Sequence, residues 1–259
     1  MPAKSAKQRL DTLIVERGLA ESRARAQALI LAGKILVDER RAEKPAALVS
    51  SDADIRIKGE LHPFVSRGGV KLQRALEHFQ LSVEGKVCAD IGASTGGFTD
   101  CLLQRGAAKV YAVDVGYGQL HHKLRTDPHV VVGERLNARY LTERELPEPL
   151  DVLTFDVSFI SLRQVLPAAL RRLKPGGVIV ALIKPQFEVG RGQVGKGGVV
   201  RDPVARGAAI QGIGEFAAQQ GLEVLGIIDA PIPGPAGNLE ALLAAVRPAN
   251  RGSESPPAG

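Results

Sequence analysis

Short apolar runs alternate with helical patterns along the chain from about residue 84 onwards. Strands that are each followed by a helix are typical of a parallel sheet covered by helices on both faces. We therefore predict an α/β fold with a doubly wound, seven-stranded sheet. Its last two strands could form an antiparallel hairpin at one edge, although the final segment could equally be helical. The predicted strands are Val87–Ile91, Val110–Val113, Val130–Val132, Val152–Phe155, Val178–Ile183, Glu223–Ile228 and Leu239–Val246.

The first 60 residues have a different pattern and predict a small α/β unit of their own. One helix is predicted over Gln8–Arg17 and a second over Ser22–Ala32, for which Ser22 is a good N-cap. Short strands are predicted at Ile35–Val37 and Asp54–Ile57. These patterns divide the chain into a domain at 1–61, a linker at 62–69, a second domain at 70–247 and a disordered tail at 248–259, which is rich in Pro, Gly and Ser.

The composition is that of a water-soluble globular protein, with 44% hydrophobic and 24% charged residues among 259. Apolar runs reach only six residues, as in Val178–Ile183, against the roughly 20 that a membrane-spanning helix needs. The polar, basic N-terminus does not resemble a signal peptide, so we expect a cytoplasmic protein. Cys88 and Cys101 lack metal-ligand spacing and predict reduced core thiols, with no metal site.

The formal net charge of +6 is concentrated towards the N-terminus. Residues 1–60 hold 12 Lys or Arg and 9 Asp or Glu, so this short segment carries +3, half of the excess. Such a balance suggests an anionic partner such as RNA, and a solvated surface of mixed charge explains it equally well. Aromatic residues make up only 4% of the chain, which argues against base stacking as the main binding device.

A glycine-rich loop follows the first strand of the predicted sheet, where a doubly wound fold binds its ligand. Its pattern is Gly-x-Ser-x-Gly-Gly over Gly92–Gly97, and Asp90 precedes it near the strand end. An acid there would repel a diphosphate but could pair with the amino group or sulfonium of S-adenosylmethionine. Asp114 ends the next strand, 22 residues after Gly92, close to the usual distance of about 20 to a ribose-binding acid. The pattern favours a methyl donor, with a dinucleotide or a vestigial site as alternatives.

Two charged residues follow neighbouring strands of the predicted sheet. Asp156 follows the fourth strand and Lys184 the fifth, and the carboxyl ends of adjacent parallel strands converge on the ligand crevice. Alone, Asp156 could be a helix cap and Lys184 could reach into solvent. Together, beside a methyl-donor loop, they favour a catalytic role.

The combination of motifs resembles the TlyA (hemolysin A) family of ribosomal RNA cytidine 2′-O-methyltransferases, in which an S4-type RNA-binding domain is fused to an FtsJ-type methyltransferase domain. The resemblance extends from about Lys7 to Val246 and implies a Rossmann-like methyltransferase sheet, S-adenosylmethionine as cofactor and ribosomal RNA as partner. The segments that carry it are Arg9–Asp11, Ser66–Leu72, Asp90–Thr99, Asp114–Leu120, Asp156–Ser161, Ile183–Glu188 and Gly237–Glu240.

The resemblance implies a catalytic tetrad that falls on Lys71, Asp156, Lys184 and Glu240. A ribose 2′-hydroxyl is a poor nucleophile, so methyl transfer needs alignment and the removal of one proton. Lys184 is the predicted base, kept neutral in part by Lys71 and by partial burial, and Asp156 would hold it. Lys71 and Glu240 would orient the ribose and Lys184. The alternative is that Lys184 stays protonated and only steers the hydroxyl.

Two further sets of residues are predicted to bind the cofactor and the RNA. The predicted cofactor contacts are Asp90, Gly92, Ala93, Ser94, Gly96 and Gly97 in the loop, Asp114 at the ribose hydroxyls and Asn137 at the adenine edge. The predicted phosphate contacts, some of which could merely solvate the surface, are Arg23, Arg25, Lys34, Arg40, Arg41 and Arg67.

Three points stay open at this stage. The glycine-rich segment 188–202 could close over bound RNA or be a flexible connector. The chain has Phe64 where the family often carries a Trp, which leaves a coupling role of the linker in doubt. A non-catalytic ribosome-assembly factor is the competing function, and the short apolar runs make a membrane-lytic protein improbable.

Overall fold

The computed structural model describes residues 7–38, 40–57 and 62–249. The chain divides into two compact units between Pro63 and Phe64. The predicted linker at 62–69 spans this division, and the predicted disordered tail lies outside the described residues from position 250 onwards. No helix within the described ranges is both long and apolar enough to cross a membrane.

The N-terminal unit packs two helices against short antiparallel strands. Its elements are β1 (Lys7–Arg9), α1 (Leu10–Glu16), α2 (Arg23–Leu31), β2 (Ile35–Val37), β3 (Arg40–Arg41), β4 (Leu48–Ser50) and β5 (Ile55–Ile57). The first helix begins later than predicted because Lys7–Arg9 pairs with β4 instead. Ser22 caps α2 as predicted, since its side chain accepts a hydrogen bond from the Arg25 backbone N–H. The core of the unit consists of Leu10, Leu13, Ile14, Ala26, Ile30, Ile35, Ala53 and Ile55.

The second unit is a seven-stranded sheet with helices on both faces. Its helices are α3 (Gly68–His78), α4 (Gly97–Gln104), α5 (His122–Arg125), α6 (Leu162–Leu170), α7 (Pro185–Glu188) and α8 (Pro203–Gln219). Its strands are β6 (Val87–Ile91), β7 (Lys109–Val113), β8 (Val130–Gly133), β9 (Leu150–Phe155), β10 (Leu173–Ile183), β11 (Glu223–Asp229) and β12 (Ala241–Val246).

The strand order is β11-β12-β10-β9-β6-β7-β8. All seven predicted strands are present, and the five from β10 to β8 in this order run parallel. The final segment is a strand and not a helix, and β12 pairs antiparallel with both β10 and β11. The predicted doubly wound α/β fold is therefore confirmed, with β8 and β11 at its edges.

The sheet separates two apolar layers because successive side chains of a strand point to opposite faces. Ile179 and Ala181 of β10 pack into the layer that contains Phe155, whereas Val180 and Leu182 pack into the opposite layer. β10 is buried on both faces from Val178 to Ile183, so this stretch is continuously apolar. Burial on both sides leaves the ends of the strands as the places where polar side chains can gather.

Candidate active site

The carboxyl ends of the parallel strands are tied together by backbone hydrogen bonds. The N–H of Asp156, just after β9, donates to Ile91 O at 2.9 Å, and the N–H of Gly92 donates to Val113 O at 2.8 Å. The N–H of Asp114 in turn donates to Gly133 O at 2.9 Å. Residues that are far apart in the sequence are thereby fixed along one edge of the sheet.

A cavity of about 400 Å³ opens at this edge. Four of the predicted cofactor residues line it, namely Gly92, Ser94, Asp114 and Asn137. The remaining lining residues are Val113, Val115, Gln119, Leu136, Ala138, Asp156, Val157, Ser158, Phe159, Ile160 and Val165. The cavity thus has largely apolar walls and a few polar groups, as small-molecule sites usually do.

Gly92 allows the loop to approach the neighbouring strand closely. Its φ is +90°, in the left-handed region that favours glycine. A Cβ atom at this position would lie 2.7 Å from the backbone oxygen of Asp156. The glycine therefore brings the loop and the Asp156 segment together at the wall of the cavity.

Asp114 is held in place by two backbone N–H groups. One carboxylate oxygen accepts from Ser94 N at 2.8 Å and the other from Gly116 N at 2.7 Å. A carboxylate oxygen can accept more than one hydrogen bond, so both keep capacity for a ligand hydroxyl. Asp114 therefore presents a fixed carboxylate at the wall of the cavity.

Asp90 was predicted to contact the cofactor, but its carboxylate does not line the cavity. The side chain is fully buried and accepts from the backbone N–H and the hydroxyl of Thr99, at 2.9 and 2.7 Å, and from the hydroxyl of Thr154 at 3.2 Å. Burial raises the pKa of Asp90 to about 7. The carboxylate satisfies an otherwise unpaired N–H at the start of α4, so it supports the loop from within.

Ala93, Gly96 and Gly97 are likewise not among the residues that line the cavity. Ala93 belongs to a small apolar cluster, and a Cβ on Gly96 would collide with Leu124 of that cluster. A Cβ on Gly97 would collide with Ser66. These residues allow close packing around the loop, a role that the glycine pattern alone does not distinguish from ligand contact.

Lys184 and Asp156 form one half of the predicted tetrad. Lys184 Nζ lies 2.6 Å from Asp156 Oδ1 and donates to Ser158 Oγ at 2.8 Å. The two charged residues meet because β9 and β10 are adjacent and parallel, with Phe155 paired to Ala181. Ser158 was not predicted as part of the site, although it lies two residues after Asp156 in the same motif.

Lys71 and Glu240 form the other half. Lys71 Nζ, on α3, lies 2.5 Å from Glu240 Oε2, just before β12, and both side chains are buried. Glu240 Oε1 is also buried and has no hydrogen-bond partner among the described residues. Gly68, in the same helical turn as Lys71, approaches Asp156 so closely that a Cβ there would lie 3.5 Å from Asp156 Oδ2. The start of α3 therefore links the two ion pairs.

Comparison with known proteins identifies both units. A model described as FtsJ-like methyltransferase matches residues 64–247, and an S4 domain model matches residues 8–55. The chain is 49% identical over 236 residues to the "16S/23S rRNA (cytidine-2'-O)-methyltransferase TlyA" of Mycobacterium tuberculosis, covering 91% of this chain and 88% of that protein. The chain belongs to the TlyA family of FtsJ-like methyltransferases.

Two further relatives agree with this assignment. The "Putative rRNA methyltransferase YqxC" of Bacillus subtilis is 49% identical over 240 residues, which is 92% of this chain and 85% of that protein. A solved structure titled "Putative hemolysin from Streptococcus thermophilus" is 42% identical, with a TM-score of 0.73, and the match covers 93% of this chain and 89% of that one. The membership of this chain in the TlyA family thus rests on both of its units.

Exposed aromatic rings occur in two of the segments that line the cavity of this TlyA-family chain, which the low aromatic content did not suggest. Phe159 lines the cavity, is 92% exposed and has a φ of +64°. Tyr117 is also exposed, and the guanidinium of Arg135 lies 4.3 Å from its ring centre. A non-glycine residue rarely adopts a positive φ, and a bare ring in that conformation suggests a surface kept for a ligand.

The predicted phosphate contacts differ in their surroundings. Arg23 donates to the buried Asp11 at 3.0 Å, so it contributes to the folding of the N-terminal unit. Hydrogen bonds from Arg9 above all, and then from Gln27 and Arg23, hold the pKa of Asp11 well below its usual range. The guanidinium of Arg41 lies over Gly33. All six predicted phosphate contacts are exposed, and the structure gives no side-chain hydrogen bond or ion pair for Arg25, Lys34, Arg40 and Arg67 among the described residues.

Proposed function

We propose that this chain is an S-adenosylmethionine-dependent ribosomal RNA methyltransferase that transfers a methyl group to the ribose 2′-hydroxyl of a cytidine in 16S or 23S rRNA, or in both. The observation that carries the proposal is the Lys184–Asp156 ion pair at the edge of the cavity that Asp114 also lines. The relative from Mycobacterium tuberculosis is named as a 16S/23S rRNA (cytidine-2'-O)-methyltransferase, which supports this choice of substrate. A protein that modifies ribosomal RNA would act in the cytoplasm.

The residues of the cavity fit S-adenosylmethionine. Asp114 would accept from the ribose hydroxyls of the cofactor, Asn137 would bind the adenine edge, and Gly92 and Ser94 would contact the methionine end. An acidic side chain at the cavity suits a cationic sulfonium better than a diphosphate, and Asp156 is such a side chain. When bound, the cofactor supplies an electrophilic methyl group.

The side chains of the tetrad then have distinct roles. Lys184, once it has released its own proton, would accept the proton of the 2′-hydroxyl through Nζ. Asp156 and Ser158 hold Nζ in place, at 2.6 and 2.8 Å. The Lys71–Glu240 pair is more deeply buried and would fix the start of α3 beside Asp156. Much of the rate enhancement would come from this alignment.

Lys184→Arg tests the role of Lys184 as a base. Arginine keeps the positive charge but does not give up its proton near neutral pH. We expect the single-turnover rate to fall about 10²-fold or more, which is the usual contribution of a positioned base. The pH dependence of the remaining rate should be lost, while cofactor binding persists. A rate near that of the wild type would show that Lys184 only steers the hydroxyl.

The RNA would contact both units. Arg25, Lys34 and Arg40 of the S4 unit would bind phosphates, which positions the RNA without selecting a base. The exposed ring of Phe159 and the Tyr117–Arg135 pair offer flat surfaces on which an unstacked base could lie. The few aromatic residues of the chain would thus contact the target nucleotide, and the overall affinity for RNA would not depend on them.

Methylation of purified ribosomal particles tests the whole proposal. Hypomethylated 30S and 50S particles are incubated with the protein and tritiated S-adenosylmethionine, and the labelled nucleotide is located by fragment mass spectrometry. We expect label on the ribose of a cytidine. Label on a base or on protein would contradict the 2′-O assignment, and an absence of label would favour a non-catalytic assembly factor.

A further inference from the structure

A basic hairpin lies in the second unit, which begins at Phe64 and is called the catalytic unit below. It is in the segment between α7 and α8. Residues 189–201 contain Arg191, Lys196 and Arg201 but no Asp or Glu. The chain turns back on itself at Lys196, because Gly195 N donates to Val199 O at 3.0 Å and Gly198 N donates to Gly195 O at 3.1 Å. We call residues 195–201 the lysine hairpin.

The lysine hairpin is fixed to the rest of the unit by the side chain of Asn238. The amide oxygen of Asn238 accepts from Val200 N at 3.0 Å, and its amide nitrogen donates to Gly198 O at 2.8 Å. Asn238 is almost completely buried, with 1% of its surface exposed. A glycine-rich segment that looks like a flexible connector in the sequence is therefore held at one defined place.

Asn238 also connects the lysine hairpin to the tetrad. Its backbone oxygen accepts from Gly234 N at 2.9 Å, which closes the turn before β12. Gly234 lies directly against Glu240 Oε1, where a Cβ atom would collide. One buried amide thus joins the hairpin to the turn that surrounds Glu240, the partner of Lys71.

Two cations of the hairpin lie close together, and the nearest acidic residue in the sequence is Asp202. Lys196 is exposed at the turn, and a Cβ on Gly195 would lie 3.8 Å from the guanidinium of Arg201. Neither cation forms an ion pair within the described part of the chain. Two neighbouring positive charges repel each other unless an anion lies close to them.

We propose that the lysine hairpin binds a phosphate of the acceptor RNA close to the target nucleotide, and that Asn238 is a positioning residue that holds the hairpin there. The proposal rests on the proposed function, since it takes the acceptor to be RNA. Asn238, which holds the hairpin, lies two residues before Glu240. A phosphate bound by the hairpin would therefore lie on the same side of the unit as the tetrad. This contact is separate from those expected of the S4 unit.

Charge removal at the hairpin gives the direct test. In Lys196→Gln, we expect the KM for ribosomal particles to rise roughly two- to five-fold, the size expected of one exposed charge contact. The slope of log KM against log salt should fall by about 1, as for the loss of one phosphate contact. The kcat and the cofactor Kd should not change. Lys174→Gln is the control, because Lys174 pairs with Asp151 at the far end of the sheet. An unchanged KM and salt slope in Lys196→Gln would overturn the phosphate contact.

A double-mutant cycle tests the role of Asn238. Asn238→Ala should raise KM by a similar factor, and in the Lys196→Gln background it should raise KM no further, because both changes remove the same contact. Fully additive effects on KM would overturn the positioning role. Should Asn238→Ala fail to fold in a thermal melt, Asn238→Ser replaces it in the cycle, because serine is too short to reach Val200 N and Gly198 O, and fully additive effects would overturn the positioning role in the same way.

Filter binding of the particles, measured without cofactor, separates this proposal from the proposed function. If the wild type transfers no methyl group, the function fails, but a higher Kd for Lys196→Gln than for Lys174→Gln still supports the hairpin. If the wild type methylates RNA and Lys196→Gln binds and reacts like the control, only the hairpin proposal fails.

Discussion

The buried Lys71–Glu240 pair should be a large contributor to the stability of the catalytic unit. Its side chains are 8% and 1% exposed, and Nζ lies 2.5 Å from Oε2. Replacing Lys71 with Met keeps the apolar stem but leaves the carboxylate of Glu240 buried and without a partner, because its Oε1 is already unpaired. Breaking such a pair costs about 3–5 kcal/mol, a large share of the roughly 5–15 kcal/mol that stabilises a domain.

Urea denaturation and thermal melts check this value. With about 2–4 °C per kcal/mol for a domain of this size, the Tm of Lys71→Met should fall by roughly 6–20 °C. The double variant with Glu240→Gln should lose less than the sum of the two single changes, because it buries no isolated charge. Lys174→Met is the matched control, since it breaks a more exposed ion pair with Asp151 and should cost at most about 1 kcal/mol. A Lys71→Met variant as stable as this control would refute the reasoning.

Two further predictions concern the glycine loop. Burial raises the pKa of Asp90 in the folded protein to about 7, from an ordinary value of 3.8. The folded state therefore loses stability as the pH rises through this range, because the unfolded chain can ionise Asp90 there and the folded chain cannot. The neutral Asp90→Asn should therefore have a higher urea midpoint than the wild type at pH 8, with little difference at pH 4, and a lower midpoint at pH 8 would contradict this. Gly92→Ala should lose about 1–3 kcal/mol from strain and also bind S-adenosylmethionine more weakly by calorimetry, because its Cβ would press on Asp156 O. Gly176→Ala, at a φ of +76° in open space, should show the strain alone, and equal cofactor binding by the two variants would contradict a role in the cavity.

The central strands of the catalytic unit could be predicted because burial on both faces favours apolar runs. Such a run is a local property of the sequence, as in Val178–Ile183. β1 was missed because Lys7–Arg9 is polar and becomes a strand only through its pairing with Leu48–Ser50, about 40 residues away. Strand pairing of this kind depends on the distant partner more than on local propensity.

The motifs predicted the segments that surround the cavity, but not which of their residues line it. The sequence shows one glycine loop, yet Gly92 and Ser94 line the cavity while Asp90 and Gly97 face the interior. Which way each side chain points depends on backbone bonds to other strands, such as Gly92 N to Val113 O. The exposure of Phe159 could not be predicted either, because the aromatic content of a sequence does not show which aromatic residues are buried.

The sequence by itself determined the order of strands and helices along the chain, the glycine loop, and the presence of polar residues at strand ends. Only the tertiary structure decided which charges meet. Lys71 and Glu240 are 169 positions apart and touch because α3 packs beside β12. Likewise, Asn238 reaches Gly198 across 40 positions. The physical reason is that apolar patterning acts over a few neighbouring residues, whereas an ion pair or a buried amide contact forms only after the whole sheet has assembled.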